Sequence, residues 1–261
     1  MSEAMPNRDR TSNNTFFTTA PTVLLLQMGL NEYIPKAFAS ALKQRGIQME
    51  AVKVVEGHSP KRSNWEEYDG IILSGSTFMV TDRHPWSVRT GELMRNIVTR
   101  GITPVLGVCY GHQLLLNTFG ASVAFMKERQ IGSKDCVLTD AARQDPVFSI
   151  FGDKPSISVH VLHRQSVATI PDFVQVLVRN DVDACHACRL GPRCWTTQFH
   201  PELITANIRG IVEVQKDTLA NDGLDYQKVR DSVSESSEGN VILLAFADVC
   251  LERNKERRCH V

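Results

Sequence analysis

Pro104-Val-Leu-Gly-Val-Cys-Tyr-Gly-His-Gln-Leu-Leu-Leu116 is a short apolar run, a G-x-C-x-G turn and an apolar stretch of helical character. The run is too short for a helix and too continuous for a half-exposed strand, so it predicts a strand buried on both faces. A strand that turns sharply into a helix brings the backbone close to itself, and Gly107 and Gly111 provide side-chain-free positions on either side of Cys109. Such a turn exposes the sulfur at the carboxyl edge of a sheet, over the positive end of the following helix. That environment favours thiolate chemistry. A lone cysteine is also a common packing residue, and the spacing by itself leaves both readings open.

Outward from this turn, strands and helices alternate. Thr22 to Gln27 predicts another doubly buried strand, Ile34 to Lys43 a helix closed by Gly46, and Ala51 to Val55 a second strand. Tyr68-Asp-Gly-Ile-Ile-Leu-Ser-Gly-Ser76 predicts a third strand ending in a small-residue loop. A helix is expected over Leu93 to Arg100, a strand over Thr103 to Val108 and a helix over Gly111 to Phe119. This alternation predicts an α/β fold with a mainly parallel sheet. In the second half Lys134 to Leu138, Ser156 to Leu162, Val174 to Val178 and Trp195 to Phe199 are strand candidates that form an extension or antiparallel edge of the same sheet. Ile204 to Lys216 reads as a helix, Asn221 to Asn240 as polar and unpatterned, and Val241 to Arg253 as a terminal helix. The expected organisation is a disordered leader over residues 1–20, a domain over 21–216 and a C-terminal polar segment with its helix over 217–261.

Composition narrows the function. The 261 residues are 42% hydrophobic and 22% charged, and 29 Lys+Arg balance 29 Asp+Glu. Without a basic excess, neither nucleic acid nor an anionic membrane surface is the expected partner. No apolar run approaches the roughly 18 residues of a spanning helix. Residues 1–20 lack the apolar core of a secretory signal, and seven cysteines are an odd number in a chain this long, so a reducing, cytoplasmic location is expected.

A thiol nucleophile needs a proton carrier and a group to orient it. Trp195-Thr-Thr-Gln-Phe-His-Pro-Glu202 offers both: a strand runs into His200, Pro201 ends the ladder, and Glu202 follows. Taken alone, His-x-Glu is a weak signal, and a solvated surface histidine is the default reading. Together with Ile72-Leu-Ser-Gly-Ser76, Asp82-Arg-His-Pro-Trp86, Gly107-Val-Cys-Tyr-Gly-His-Gln113, Asp145-Pro146, His163 and Ile170-Pro171, the chain resembles the class I glutamine amidotransferase family over most of residues 22–203. Within it, the Asp-x-x-Pro-Trp element is similar to the stand-alone branch that includes the amidotransferase domain of guanylate synthase and the plant γ-glutamyl peptidases.

The resemblance implies a flavodoxin-like three-layer sandwich with a mostly parallel central sheet. It implies a Cys109-His200-Glu202 triad that cleaves a γ-glutamyl amide through a thioester, with the backbone N–H groups of Gly75 and Tyr110 as oxyanion donors. Ser76, Gln113 and His163 are then the residues at the substrate. A catalytically silent binding or regulatory module on the same fold is the alternative. The family's Gly-Gly-Pro loop is Ser74-Gly75-Ser76 here, and its His-x-Asp is His163-Arg-Gln165, which removes a carboxylate from the substrate's amino end. No cofactor is implied, and any ammonia-using synthetase is expected to be a separate chain. Cys185-His-Ala-Cys188 with Cys194 has a zinc-like spacing but no second C-x-x-C, so no metal is expected.

Overall fold

Strand β1 (Thr22–Gln27) sends Val23 and Leu25 to one face of a sheet and Leu24 and Leu26 to the other, and all four side chains are buried. This is why the run is apolar without alternation. The computed structural model describes residues 20–259, so the leader expected over residues 1–20 falls almost wholly outside the described residues.

β1 lies between β2 (Gln48–Lys53) and β3 (Gly70–Leu73). The sheet continues through β4 (Val105–Val108) to β9 (Cys194–Thr197), with every one of these pairings parallel. Helix α1 (Tyr33–Lys43) and the long α8 (Glu238–Cys259) cover one face, packing Phe38, Leu42, Ile242, Leu243 and Phe246 against Val23 and Leu25. Helices α2 (Pro85–Arg100) and α3 (Tyr110–Thr118) cover the other, with Met94, Val98 and Leu114 to Leu116 against Leu24 and Leu26.

Beyond β9 the sheet changes direction. β8 (Ala187–Gly191), β7 (Gln175–Arg179), β5 (Ser122–Leu138) and β6 (Ser156–Thr169) follow in that spatial order, all antiparallel, with the one-turn helix α4 (Asp140–Arg143) between β5 and β6 in the chain. Four of the eight pairings are therefore antiparallel, which corrects the expected mostly parallel sheet; the structure is a mixed α/β sheet with helices on both faces. The reason lies in the connections. Only residues 192–193 join β8 to β9, and residues 180–186 join β7 to β8, whereas a parallel crossover takes a dozen or more. A small separate core under this half, built on Ile131, Leu203, Ile208 and Val212, seats α5 (Thr205–Val214) and the short helices α6 (Lys216–Asn221) and α7 (Tyr226–Asp231).

Several boundaries moved. Helix α2 starts at Pro85, not Leu93, because proline suits the first helical position and small polar Ser87, Thr90 and Gly91 fill the buried face. β5 extends back to Ser122, β8 was not anticipated, and the polar stretch Asn221–Asn240 contains α7. α8 runs to Cys259 and anchors its end by Asn254 and Arg257 on the buried carboxylate of Asp69.

Candidate active site

Cys109 sits between β4 and α3 with φ 51° and ψ −100°, a left-handed conformation that costs a non-glycine residue about 1–3 kcal/mol. Its N–H donates to Thr197 O (2.8 Å) and its carbonyl accepts from Gln113 N–H (3.1 Å), so the turn is held from both sides. The two glycines are required. A Cβ on Gly107 would lie 2.8 Å from Gly111 O, and one on Gly111 would lie 2.5 Å from Leu73 O. The Asp82-Arg-His-Pro-Trp86 element packs against the same turn: Trp86 stacks on Tyr110 with ring centres 5.6 Å apart, and Tyr110 Oη hydrogen-bonds Ser87 Oγ at 2.7 Å.

Three residues past the end of β9, His200 donates its backbone N–H to His160 O (2.9 Å) and pairs Nδ1 with Glu202 Oε1 at 2.8 Å. Both side chains are buried, and Nε2 of His200 has no partner. Burial opposes protonation of this imidazole, but the charge of Glu202 and the adjacent Cys109 sulfur outweigh it and raise its pKa well above the usual value. Cys109 and His200 meet across Gly75: a Cβ there would be 2.8 Å from His200 Cε1 and 3.4 Å from Cys109 Cβ. The sulfur itself points toward Leu162 O, 3.7 Å away.

The Ser74-Gly75-Ser76 loop is locked by its own hydroxyls. Ser74 Oγ accepts from Met28 N–H (3.0 Å) and donates to Gly75 O (2.9 Å), while Ser76 Oγ accepts from Phe78 N–H (3.0 Å). Neither the Gly75 nor the Tyr110 N–H has a hydrogen-bond partner among the described residues. Gln113 commits its amide NH2 to Gln165 O (2.7 Å) and Gln198 Oε1 (2.9 Å), which leaves its own Oε1 unpaired. His163 places Nδ1 on Gln165 O (3.1 Å), and burial pushes its pKa down to about 4.

These side chains line a cleft of about 540 Å³ that also takes in Tyr33, Met79, Arg129, Ile211 and Val214. The sequence reading missed Arg129 and the wall from α5 and α6. Arg129 lies in the unanticipated part of β5, and no spacing marks it. Its side chain is 8% exposed, pairs with Asp222 at 3.2 Å and reaches Gln215, fastening α6 to the sheet. Among the described residues Glu202 is the only carboxylate lining the cleft, and His200 holds it.

The cysteines with zinc-like spacing do not converge on His186. Cys185, Cys188 and Cys194 pack in the apolar core, and Cys188 Sγ lies 3.0 Å from Thr196 Oγ1. Contact with Cys188 and burial raise the pKa of Cys185, and burial raises that of Cys194, so these thiols stay neutral. Among the described residues, the side chains that come together as a set of possible metal ligands are instead His163, Asp183 and His186. The expectation of no metal ligands had not foreseen them.

A strand–cysteine–helix turn facing a His–Glu pair on a mixed α/β sheet defines a class, and the sequence matches the class-I glutamine amidotransferase family over residues 31–209; the chain belongs to that family. Among curated relatives it is 24% identical to γ-glutamyl peptidase 3 of Arabidopsis thaliana over 77% of this chain and 80% of that one. It is 32% identical to a glutamine-hydrolysing GMP synthase of Bacteroides fragilis over 53% of this chain, which spans 25% of that enzyme. Solved structures agree on the fold. A glutamine amidotransferase from Methylobacillus flagellatus superposes with TM-score 0.74 at 18% identity, covering 90% of this chain and 95% of its own. One from Thermotoga maritima gives 0.71 at 19% identity, covering 91% and 99%. Among the described residues no helix is long and apolar enough to cross a membrane.

Proposed function

We propose that the chain is a cysteine hydrolase of γ-glutamyl amides, with Cys109 as nucleophile, His200 as proton carrier and Glu202 as the residue that orients it. The observation that carries this reading is the meeting of the strained Cys109 turn and the hydrogen-bonded His200–Glu202 pair across Gly75. The Cys109 thiol proton passes to His200 Nε2, the nitrogen left without a partner, the raised pKa of that ring favours the resulting thiolate–imidazolium pair, and the sulfur then attacks the γ-carbonyl carbon. The oxyanion is received by the free N–H groups of Gly75 and Tyr110, each worth about 2.7–4 kcal/mol in such a role. As the C–N bond breaks, His200 returns the proton to the departing amine and a γ-glutamyl thioester remains. Water then attacks the thioester, giving up its proton through His200, and glutamate and the thiol are released. The field that favours the imidazolium of His200 suits the step in which it acts as an acid.

Ser76, Gln113 and His163 border the glutamyl portion in this reading. Free glutamine is not the preferred donor, because the cleft brings Arg129 and Arg164 but no unpaired carboxylate to a substrate's ammonium group. A donor in the manner of γ-glutamyl peptidases fits better. All seven cysteines are free, consistent with a cytoplasmic protein.

The test compares release of glutamate from glutamine, glutathione and other γ-glutamyl amides by the purified chain, with a γ-diazoketone analogue of glutamine as label. Stoichiometric labelling of wild type, lost in Cys109→Ala, supports the reading. A folded chain that neither labels nor turns over any γ-glutamyl amide is a silent module.

A further inference from the structure

Behind the cleft, the loop between β7 and β8 folds on itself. Asn180 Oδ1 accepts from Val182 N–H (3.0 Å) and Asp183 N–H (2.8 Å), and Asp183 Oδ1 accepts from Cys185 N–H (3.0 Å). His186 then enters β8's ladder through its N–H on Val178 O (2.9 Å). The loop delivers Asp183 and His186 to the inner side of β6, where the rings of His186 and His163 meet edge to face with centres 5.8 Å apart. One donor atom from each of His163, Asp183 and His186 lies within 4.8 Å of the other two.

All three residues are buried, at 5%, 2% and 0% exposure, and their functional atoms are orphaned: His163 Nε2, Asp183 Oδ2 and both ring nitrogens of His186 have no partner. An unpaired buried polar atom costs about 1–3 kcal/mol, so several in one spot call for a bound ion or ordered water to pair them. We infer that His163, Asp183 and His186 form a binding site for a divalent transition-metal ion of the zinc class.

The surroundings fit that assignment. His163 holds Nδ1 on a backbone carbonyl, which leaves Nε2 as the lone-pair donor, the outer-shell arrangement typical of ligating histidines. Asp183 has one oxygen fixed by Cys185 N–H and the other free. Two imidazoles and one carboxylate suit zinc, whereas calcium and magnesium prefer all-oxygen sets. Tetrahedral zinc places donors about 3.3 Å apart, so binding draws the three side chains together by at most about 1.5 Å. His163 also lines the cleft, which gives the ion a way in. Fixing the His163 ring braces the Leu162–Gln165 segment, whose carbonyls face Cys109 Sγ and Gln113 Nε2.

The inference is independent of the thiol chemistry. The full chain, stripped with a chelator and dialysed, is titrated with Zn²⁺ and with Co²⁺. The expected result is one equivalent bound, a rise in thermal midpoint with Zn²⁺ but not Mg²⁺, and a cobalt spectrum without an intense sulfur-to-metal charge-transfer band. Asp183→Asn and His186→Gln should each weaken zinc binding at least a hundredfold. Less than a tenth of an equivalent in folded wild type overturns the proposal, and so does equal binding by either folded variant. An intense thiolate–cobalt band would move the ion to the cysteines and overturn it as well. The stoichiometry and the spectrum need no variant, so a substitution that prevents folding leaves both decisive.

Discussion

The two halves of the sheet are built under different constraints. From β2 to β9 every strand is parallel, β1, β3, β4 and β9 are buried along their length, and the helices cover both faces. From β8 to β6 the strands are antiparallel, and β5 and β7 are partly exposed. The first half carries Cys109 at the end of β4, and β9 at its border carries His200. The second half, with α5 and α6, supplies a wall of the cleft. The parallel half therefore holds the proposed reacting groups with little freedom, and the antiparallel half is where specificity can vary at small cost to the fold.

The sharpest way to break this division is at the proposed nucleophile, Cys109. Cys109→Ser should lower kcat for γ-glutamyl amide hydrolysis by at least about a thousandfold while far-UV circular dichroism and the thermal midpoint stay unchanged. His200→Asn should come close to it, and Glu202→Gln should keep more activity, because in the proposed reading Glu202 only orients the imidazole it hydrogen-bonds. Retention of more than a few per cent of turnover in Cys109→Ser would place the chemistry elsewhere.

Gly75→Ala comes next. Gly75 has no positive φ, so the backbone accepts alanine, but the new Cβ would press on His200 Cε1 at 2.8 Å. Displacing a proton carrier by about 1 Å costs on the order of a hundredfold in rate. The expected outcome is that loss in kcat with a thermal midpoint within a few degrees of wild type. A fully active Gly75→Ala would mean that Cys109 and His200 do not work across this loop.

Legibility followed the same division. The elbow could be read because three constraints coincide there: a doubly buried strand, a positive φ at Cys109 and close approach at Gly107 and Gly111. Pro201 marked where the ladder ends, but His200 and Glu202 were singled out by the family resemblance, since the spacing alone reads as a surface histidine. The second half gave less. β5 between Ser122 and Gln130 is mostly exposed, so its sequence keeps no apolar period, and the register shift between Phe125 and Gln130 erases alternation. β8 reads Ala-Cys-Arg-Leu-Gly, without the branched or aromatic residues that announce a strand. Asp183 and His163, 20 positions apart, come together only through the β7–β8 loop, which no local spacing records.

Where the halves join, pH offers a smaller probe. His112 on α3 is wholly buried with Nδ1 on Thr196 Oγ1 (2.7 Å), and burial, aided by His163, pushes its pKa down to about 3. In the unfolded chain the same imidazole titrates near 6.5. Between these values the unfolded state binds more protons, so stability rises with pH and is lost as pH falls from 6.5 toward 3. By pH 5 the loss from this group is about 2 kcal/mol. His112→Asn, which keeps an amide where Nδ1 stands, should flatten the pH dependence of the unfolding free energy between pH 7.5 and 5 by that amount. A slope unchanged from wild type in denaturant titrations would show that His112 does not carry it.

The smallest effect is the most informative about substrate. Gln165 donates Nε2–H to Thr81 Oγ1 (2.7 Å), and its Oε1 is buried without a partner beside the cleft. The family resemblance puts a carboxylate at this position, where it would meet the ammonium group of free glutamine. Gln165→Glu restores that charge in nearly the same shape, with Thr81 Oγ1–H able to donate to it. The gain expected in kcat/KM for free glutamine is about tenfold, the size of one charge-assisted hydrogen bond in a partly screened site. Donors whose α-amine is acylated should show no gain, because they bring no cation to the new carboxylate. A buried glutamate resists ionisation, so the effect should grow with pH until the carboxylate is charged. An equal gain for acylated donors would trace the change to repacking. No gain at any pH, with wild type already efficient on free glutamine, would show that the ammonium group is bound elsewhere and that the wall formed by the antiparallel half does not set the donor.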